Sequence, residues 1–179
     1  LDLEDLPKFG INPSLDKFRL IRSNKVEDVN ILMTQLLDEL KTQKLNGFEI
    51  PKILIVLDSI GQMSSNKEKN DLLKGDIKQD MTKAKALGSM FRSINTDLGY
   101  LDIPFLVCNH TYLTMDLYPA EKLRGGNGLL YSASVIGFMS KSKYKDGTED
   151  DMDLGQSGIT VLFKTAKNRM AKPKKIRFD

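Results

Sequence analysis

The sequence predicts an α/β fold: a mostly parallel sheet flanked by helices, with an antiparallel extension at the C-terminal end. Three observations carry this reading. Two short runs, Ile53–Leu57 and Ile103–Cys108, are apolar throughout and lead into polar residues, the pattern of strands buried on both faces. A long helical period lies between them, so strand, helix and strand follow in succession, as in a right-handed βαβ unit. Beyond these, Val135–Met139, Gly158–Lys164 and Lys174–Phe178 read as strands with no helical pattern between them, which implies antiparallel pairing.

The elements are predicted in order as follows. A strand is expected at Phe18–Ile21. Val29, Leu32, Met33, Leu36, Leu37 and Leu40 then fall at the spacing of one helical face, and Asn24 followed by Glu27 has the form of a capping box. With Asn46-Gly47 as the stop and Pro51 barring a return, the helix spans residues 25 to 45. After the first apolar strand comes a polar loop, Gln62–Gly75. Ile77, Met81, Ala84, Leu87, Phe91, Ile94 and Leu98 mark a second helix over residues 76 to 98, capped by Asp76. A second long loop follows the second apolar strand, from Thr111 to Tyr131.

Composition narrows the function classes. At 179 residues with 40% apolar content, the chain is long enough for one ordinary core. No apolar run approaches the ~18 residues of a membrane span, and acids and lysine interrupt the leucines of the first 20 positions, so neither a span nor a signal peptide is expected. The single cysteine, Cys108, excludes an intrachain disulfide and a cysteine-based zinc site, and favours a reducing compartment. The net charge of +3 identifies no partner, but its distribution is uneven: Lys164–Asp179 carries seven basic residues against one acid. That basic tail either faces an anion or is a strand edge whose lysines discourage edge pairing.

Polar groups at strand ends mark the expected site, because ligands of open α/β sheets bind beyond the carboxyl ends of the strands. Asp58-Ser59 follows one strand and Asn109-His110 the other. An apolar strand ending in Asp has the form of a Walker B segment, whose carboxylate holds a magnesium ion beside nucleotide phosphates; an Asp that caps the following turn has the same form. His110 is the only histidine, and no G-x-S-x-G elbow accompanies it, so a hydrolase triad is not expected. Both long loops leave the same rim. The first carries Lys67, Lys69 and Lys74; the second carries Tyr112, Tyr118, Arg124 and the run Gly125-Gly126-Asn127-Gly128. Glycines there let backbone N–H groups approach phosphates, and aromatic rings stack on bases; a lid without a ligand is the alternative.

Five segments in order, ILIVLDSIG, GDIKQDMTKAKALGSMFR, IPFLVCNHTY, RGGNGLLYSAS and AKNRM, resemble the RecA-type recombinases, most closely the UvsX recombinases of large phages. The likeness runs from LPKFGINP to the final strand. It implies a RecA-like ATPase core that polymerises as a helical filament on single-stranded DNA, with ATP and Mg2+ between subunits, and exchanges the strand with a homologous duplex. It further implies, as partners, single- and double-stranded DNA, other copies of the chain, a single-strand-binding protein and a loading mediator, in the cytoplasm of a host cell.

Residue by residue, the resemblance makes Asp58 the Walker B carboxylate and metal ligand, with Ser59 and Asn109 beside the nucleotide. His110 takes the place of the γ-phosphate sensor. Lys67, Lys69 and Lys74 fall in the first DNA loop; Tyr112, Arg124, Gly125, Gly126 and Asn127 fall in the second. Lys167 and Arg169 match the pair that reaches a neighbour's nucleotide. The sequence departs from the family in one respect: it contains no G-x-x-x-x-G-K-S or -T phosphate loop. The family places that loop, its helix and a glutamate-bearing strand before the point where this chain begins, and some members carry a further DNA-capturing region after the core. The chain is therefore expected to be a partial core over residues 1–179, inactive as an ATPase by itself. The alternatives are a DNA-binding or filament-interaction module without ATPase activity and a RecA-like helicase core.

Overall fold

The computed structural model describes residues 3–14, 16–75, 82–113, 115, 121–123, 128–144 and 158–178. The chain forms two compact units, Leu1–Arg124 and Gly125–Asp179.

The first unit opens with a 3-10 helix, Leu3–Phe9, which buries Leu6. The α-helices α1 (Val26–Leu45) and α3 (Thr82–Leu101) pack on each other. Each has a one-sided apolar pattern: Val26, Met33, Leu37 and Leu40 of α1 and Leu87, Met90, Phe91, Ile94, Leu98 and Leu101 of α3 are buried. The buried stripe of α1 is narrower than its sequence period, since Leu32 and Leu36 are each 40% exposed. Lys41 links the helices: Nζ is 2.8 Å from Asp38 Oδ1 and 3.0 Å from Asp97 Oδ2. Its hydrogen bonds to the Asp38 carboxylate and then to that of Asp97 raise its pKa. Gly47, at φ +84°, lets the chain turn directly after α1.

Strands β1 (Ile55–Leu57) and β2 (Phe105–Val107) pair in parallel, as the strand, helix, strand order predicts. On α3, Phe91 stacks on Phe105 with ring centroids 6.0 Å apart, so one face of this pair is covered. The other is not. Leu54, Val56 and Leu106 are 63%, 53% and 55% exposed, which corrects the expectation of strands buried on both faces. Among the described residues, β1 and β2 form the parallel strand pair, and the only other parallel contact is an isolated bridge between Lys25 and Ser64, so the sheet content is mixed rather than mostly parallel. The chain supplies one strand–helix–strand crossover there, and parallel neighbours need one crossover each.

Both predicted loops carry structure. Within the first, α2 (Asn66–Leu73) starts at Ser65, whose Oγ accepts from the Glu68 N–H while the Glu68 carboxylate accepts from the Ser65 N–H. Within the second, β3 (Thr111–Leu113) and β4 (Glu121–Leu123) form an antiparallel pair. The expected cap at Asn24 and Glu27 is absent: Lys25 precedes α1 without a side-chain cap, and the Glu27 carboxylate instead accepts from the Asn66 N–H at 3.0 Å. Phe18–Ile21 is not a strand, and its residues have no ladder partner. Asp76 lies outside the described residues.

The second unit contains the antiparallel sheet β5 (Val135–Tyr144), β6 (Gly158–Asn168) and β7 (Lys175–Phe178), as expected, and a short helix α4 (Gly128–Ser132) where the end of the second loop is expected. Gly137 lies under the Phe163 ring, and a Cβ there would run into it. Among the described residues, no helix is long and apolar enough to cross a membrane.

Candidate functional site

The parallel register sets Leu57 against Val107, so the residues after each strand leave the same edge. The Cys108 N–H donates to Leu57 O at 2.9 Å, and the Ile60 N–H donates back to Cys108 O at 3.1 Å, clasping the two exits together. Ser59 is thereby buried, with Oγ 3.4 Å from Nε2 of the exposed His110. The Asp58–Ser59 peptide bond is cis. Asp58 is exposed; burial raises the pKa of the neighbouring Cys108 thiol, and the Asp58 carboxylate adds to that rise. The Asn109 side-chain oxygen accepts from the backbone N–H of His110 at 2.8 Å.

Gly61 completes the contact. A Cβ on it would stand 2.7 Å from His110 Cδ2, so only glycine lets the imidazole lie this close to the turn after β1. The Gly61 carbonyl accepts from Lys83 Nζ at 3.4 Å, which brings a cation of α3 to the same rim. Sequence reasoning missed Lys83, because its place depends on how α3 docks. The rim thus gathers a carboxylate, a hydroxyl, an imidazole, an amide and an ammonium group.

Among the described residues, no group of three or more His, Cys, Asp or Glu side chains could hold a metal ion. Mg2+ keeps several waters and takes one or two carboxylates, so of the groups at this rim the exposed Asp58 carboxylate is the one that could hold such an ion. Asp58 is the carboxylate that would meet it, with Ser59 as its neighbour.

The lysines of the first predicted DNA loop do not form one cluster. Lys67 and Lys74 are exposed and seven residues apart, two turns along one side of α2 and its C-cap. Lys69 points elsewhere: its Nζ donates to Asn24 Oδ1 at 2.7 Å. Ser64 hydrogen-bonds to Asn24 and forms a parallel bridge with Lys25, so this segment is pinned to the start of α1. In the second predicted loop, Tyr112 is 45% exposed on β3. Arg124, Gly125, Gly126 and Asn127 lie outside the described residues, as does Tyr118.

In the second unit, Lys167 and Arg169 converge on the C-terminal end of α4. Lys167 Nζ donates to Leu130 O and, at 3.2 Å, to Tyr131 O; Arg169 Nη2 donates to Tyr131 O at 2.7 Å. The last carbonyls of a helix have no partner within it, and cations there also oppose the negative end of the helix dipole. Burial lowers the Lys167 pKa, and the Arg169 charge lowers it further.

No protein-family model matches the chain. The chain is 29% identical, over an alignment of 183 residues, to the "Recombination and repair protein" of Enterobacteria phage T4. The alignment covers 96% of this chain and 44% of that protein, so the chain spans less than half of its relative's length. Along nearly all of its length, the chain is thus similar to part of a phage protein named for recombination and repair.

Proposed function

We propose that the chain is a core portion of a RecA-like, DNA-dependent ATPase that forms a filament on single-stranded DNA and carries out homologous recombination and strand exchange. The observation that carries this reading is the likeness, over 96% of the chain, to the phage recombination and repair protein. The strand-end rim supports it. Asp58 would meet a nucleotide's magnesium ion, which neutralises phosphate charge, and His110 would sense the terminal phosphate from the neighbouring strand. Lys67, Lys74, Tyr112 and Arg124 would contact the DNA backbone and bases, and Lys167 and Arg169 would act on a neighbouring subunit's nucleotide. Single-strand-binding and loading proteins would be further partners.

A second reading is a DNA-binding or filament-interaction module without ATPase activity; these 179 residues contain no phosphate-loop motif. Most nucleotide affinity in such folds comes from that loop's N–H groups and lysine. The test is phosphate release, with and without single-stranded DNA, by these 179 residues and by a longer chain that joins a phosphate loop and a glutamate-bearing strand to Leu1. The proposal predicts no turnover by the shorter chain, and DNA-stimulated turnover by the longer one that Asp58→Asn abolishes. A longer chain that binds DNA but releases no phosphate would favour the second reading.

A further inference from the structure

Gly61 lies in the 3-10 turn Ile60–Gln62 that follows β1, and its backbone does not itself call for glycine. Gly10, Gly47 and Gly75 have positive φ; Gly61 does not. What a side chain there would meet is His110. A Cβ on Gly61 would stand 2.7 Å from His110 Cδ2, but 3.5 Å from Cγ and 3.6 Å from Cβ, which are ordinary contacts. The conflict is thus with the ring and not with the start of the side chain.

Which partner would yield is decided by how each is held. The turn is fixed: Ile60 and Met63 are buried, the Ile60 N–H donates to Cys108 O, the Gln62 N–H to Ser59 O and the Met63 N–H to Ile60 O. The Gly61 carbonyl also accepts from Lys83 Nζ. His110 is exposed, and its Nε2 meets Ser59 Oγ at 3.4 Å, long for a hydrogen bond. An added Cβ would therefore leave the turn in place and swing the imidazole to another rotamer, away from Ser59.

We infer that Gly61 is a positioning residue for His110, and that residues 61 and 110 form a matched pair. A ring at position 110 requires the absence of a side chain at 61, whereas a side chain without a ring, such as glutamine, tolerates one. Seating the ring against the turn is what puts Nε2 beside Ser59 at the strand-end rim. The pairing needs no ligand; its consequence for turnover rests on the proposed place of His110 at a nucleotide's terminal phosphate.

The experiment uses the lone histidine as its own probe. In the 179-residue chain, the nuclear Overhauser effect between Gly61 Hα and His110 Hδ2 should be strong. In Gly61→Ala, the effect from His110 Hδ2 to residue 61 should vanish while the urea midpoint stays unchanged. In the longer chain that carries a phosphate loop, Gly61→Ala should lower the DNA-stimulated kcat for phosphate release by about tenfold or more, with the KM for ATP within about twofold, because a misplaced group costs rate while the loop still supplies affinity. Adding Gly61→Ala to His110→Gln should change kcat by less than about twofold. The inference is overturned if the wild type lacks the Overhauser effect, if Gly61→Ala keeps it, or if Gly61→Ala costs the same factor in both backgrounds. A loss of folding in Gly61→Ala that His110→Gln does not restore would also overturn it, since the turn and not the ring would then need glycine. A wild-type longer chain that releases no phosphate would count against the proposed function, while the Overhauser comparison would still decide this inference.

Discussion

The two units are held together in different ways. In Leu1–Arg124, apolar side chains from the first 3-10 helix, α1, α3 and the turns between them are buried to the last few per cent, with Leu37 and Leu87 at 0% exposure. In Gly125–Asp179, the buried residues among those described are Thr160 and Thr165, and the unit rests on its hydrogen-bonded ladder. Register explains the surface of that sheet. Met139, Phe163 and Ile176 form one cross-strand row, while Lys164 with Lys175 and Leu162 with Arg177 occupy the opposite face. One face therefore carries an apolar row whose outer members, Met139 and Ile176, are exposed, and the other sets Lys164, Lys175 and Arg177 beside Phe138 and Leu162. The contrast teaches that helix packing anchors the first unit, whereas the second is specified mainly by pairing.

The largest test of that contrast is Leu37→Ala. Leu37 is fully buried between α1 and α3, so the variant should lose about 2–5 kcal/mol of stability, read as a lower urea midpoint of the helical circular-dichroism signal. A loss below about 1 kcal/mol would mean that the α1–α3 core is looser than its burial implies. Ser65→Ala comes next. Removing the buried hydroxyl that starts α2 should cost about 1 kcal/mol and leave the α1–α3 core intact. No measurable change would show that the ties to Asn24 and Glu27, rather than the cap, hold α2. The smallest effect should come from Met139→Ser, at a side chain 71% exposed, whose stability by thermal unfolding should stay within about 0.5 kcal/mol of wild type. A large loss there would show that the apolar row of the sheet is covered in solution.

Sequence pattern reveals what is periodic and local. The stripe of α1, the all-apolar runs that pair in parallel, and the three C-terminal strands are all legible, because side-chain spacing dictates each. What escapes is decided by partners distant in sequence. Asn24 and Glu27 have the spacing of a cap, yet their side chains go to Lys69 and Asn66, some 40 residues on. The capping box that does form, Ser65 with Glu68, stands in a segment too polar to show a helical period. The strands' missing cover is also a tertiary fact, since Leu54 and Val56 are apolar whether or not anything lies on them.

The site divides along the same line. That Asp58-Ser59 and Asn109-His110 leave one edge follows from parallel pairing alone, and the 3.4 Å approach of Ser59 Oγ to His110 Nε2 agrees with it. Gly61 and Lys83 enter only through close packing: one by leaving room for the imidazole, the other by reaching from α3. Lys67 and Lys69 look equivalent in sequence, but the helix separates them and commits Lys69 to Asn24.

The claim that the chain belongs on DNA is tested most directly by the anisotropy of a labelled single-stranded oligonucleotide titrated with the chain at several salt concentrations. The logarithm of the binding constant should fall linearly with the logarithm of salt. Replacing Lys67, Lys74 and Arg124 together by Ala should flatten the slope by about 2, at roughly 0.7 for each phosphate left unneutralised, and equally for oligonucleotides of different base sequence. No binding at low salt, or a slope untouched by the triple replacement, would contradict the account.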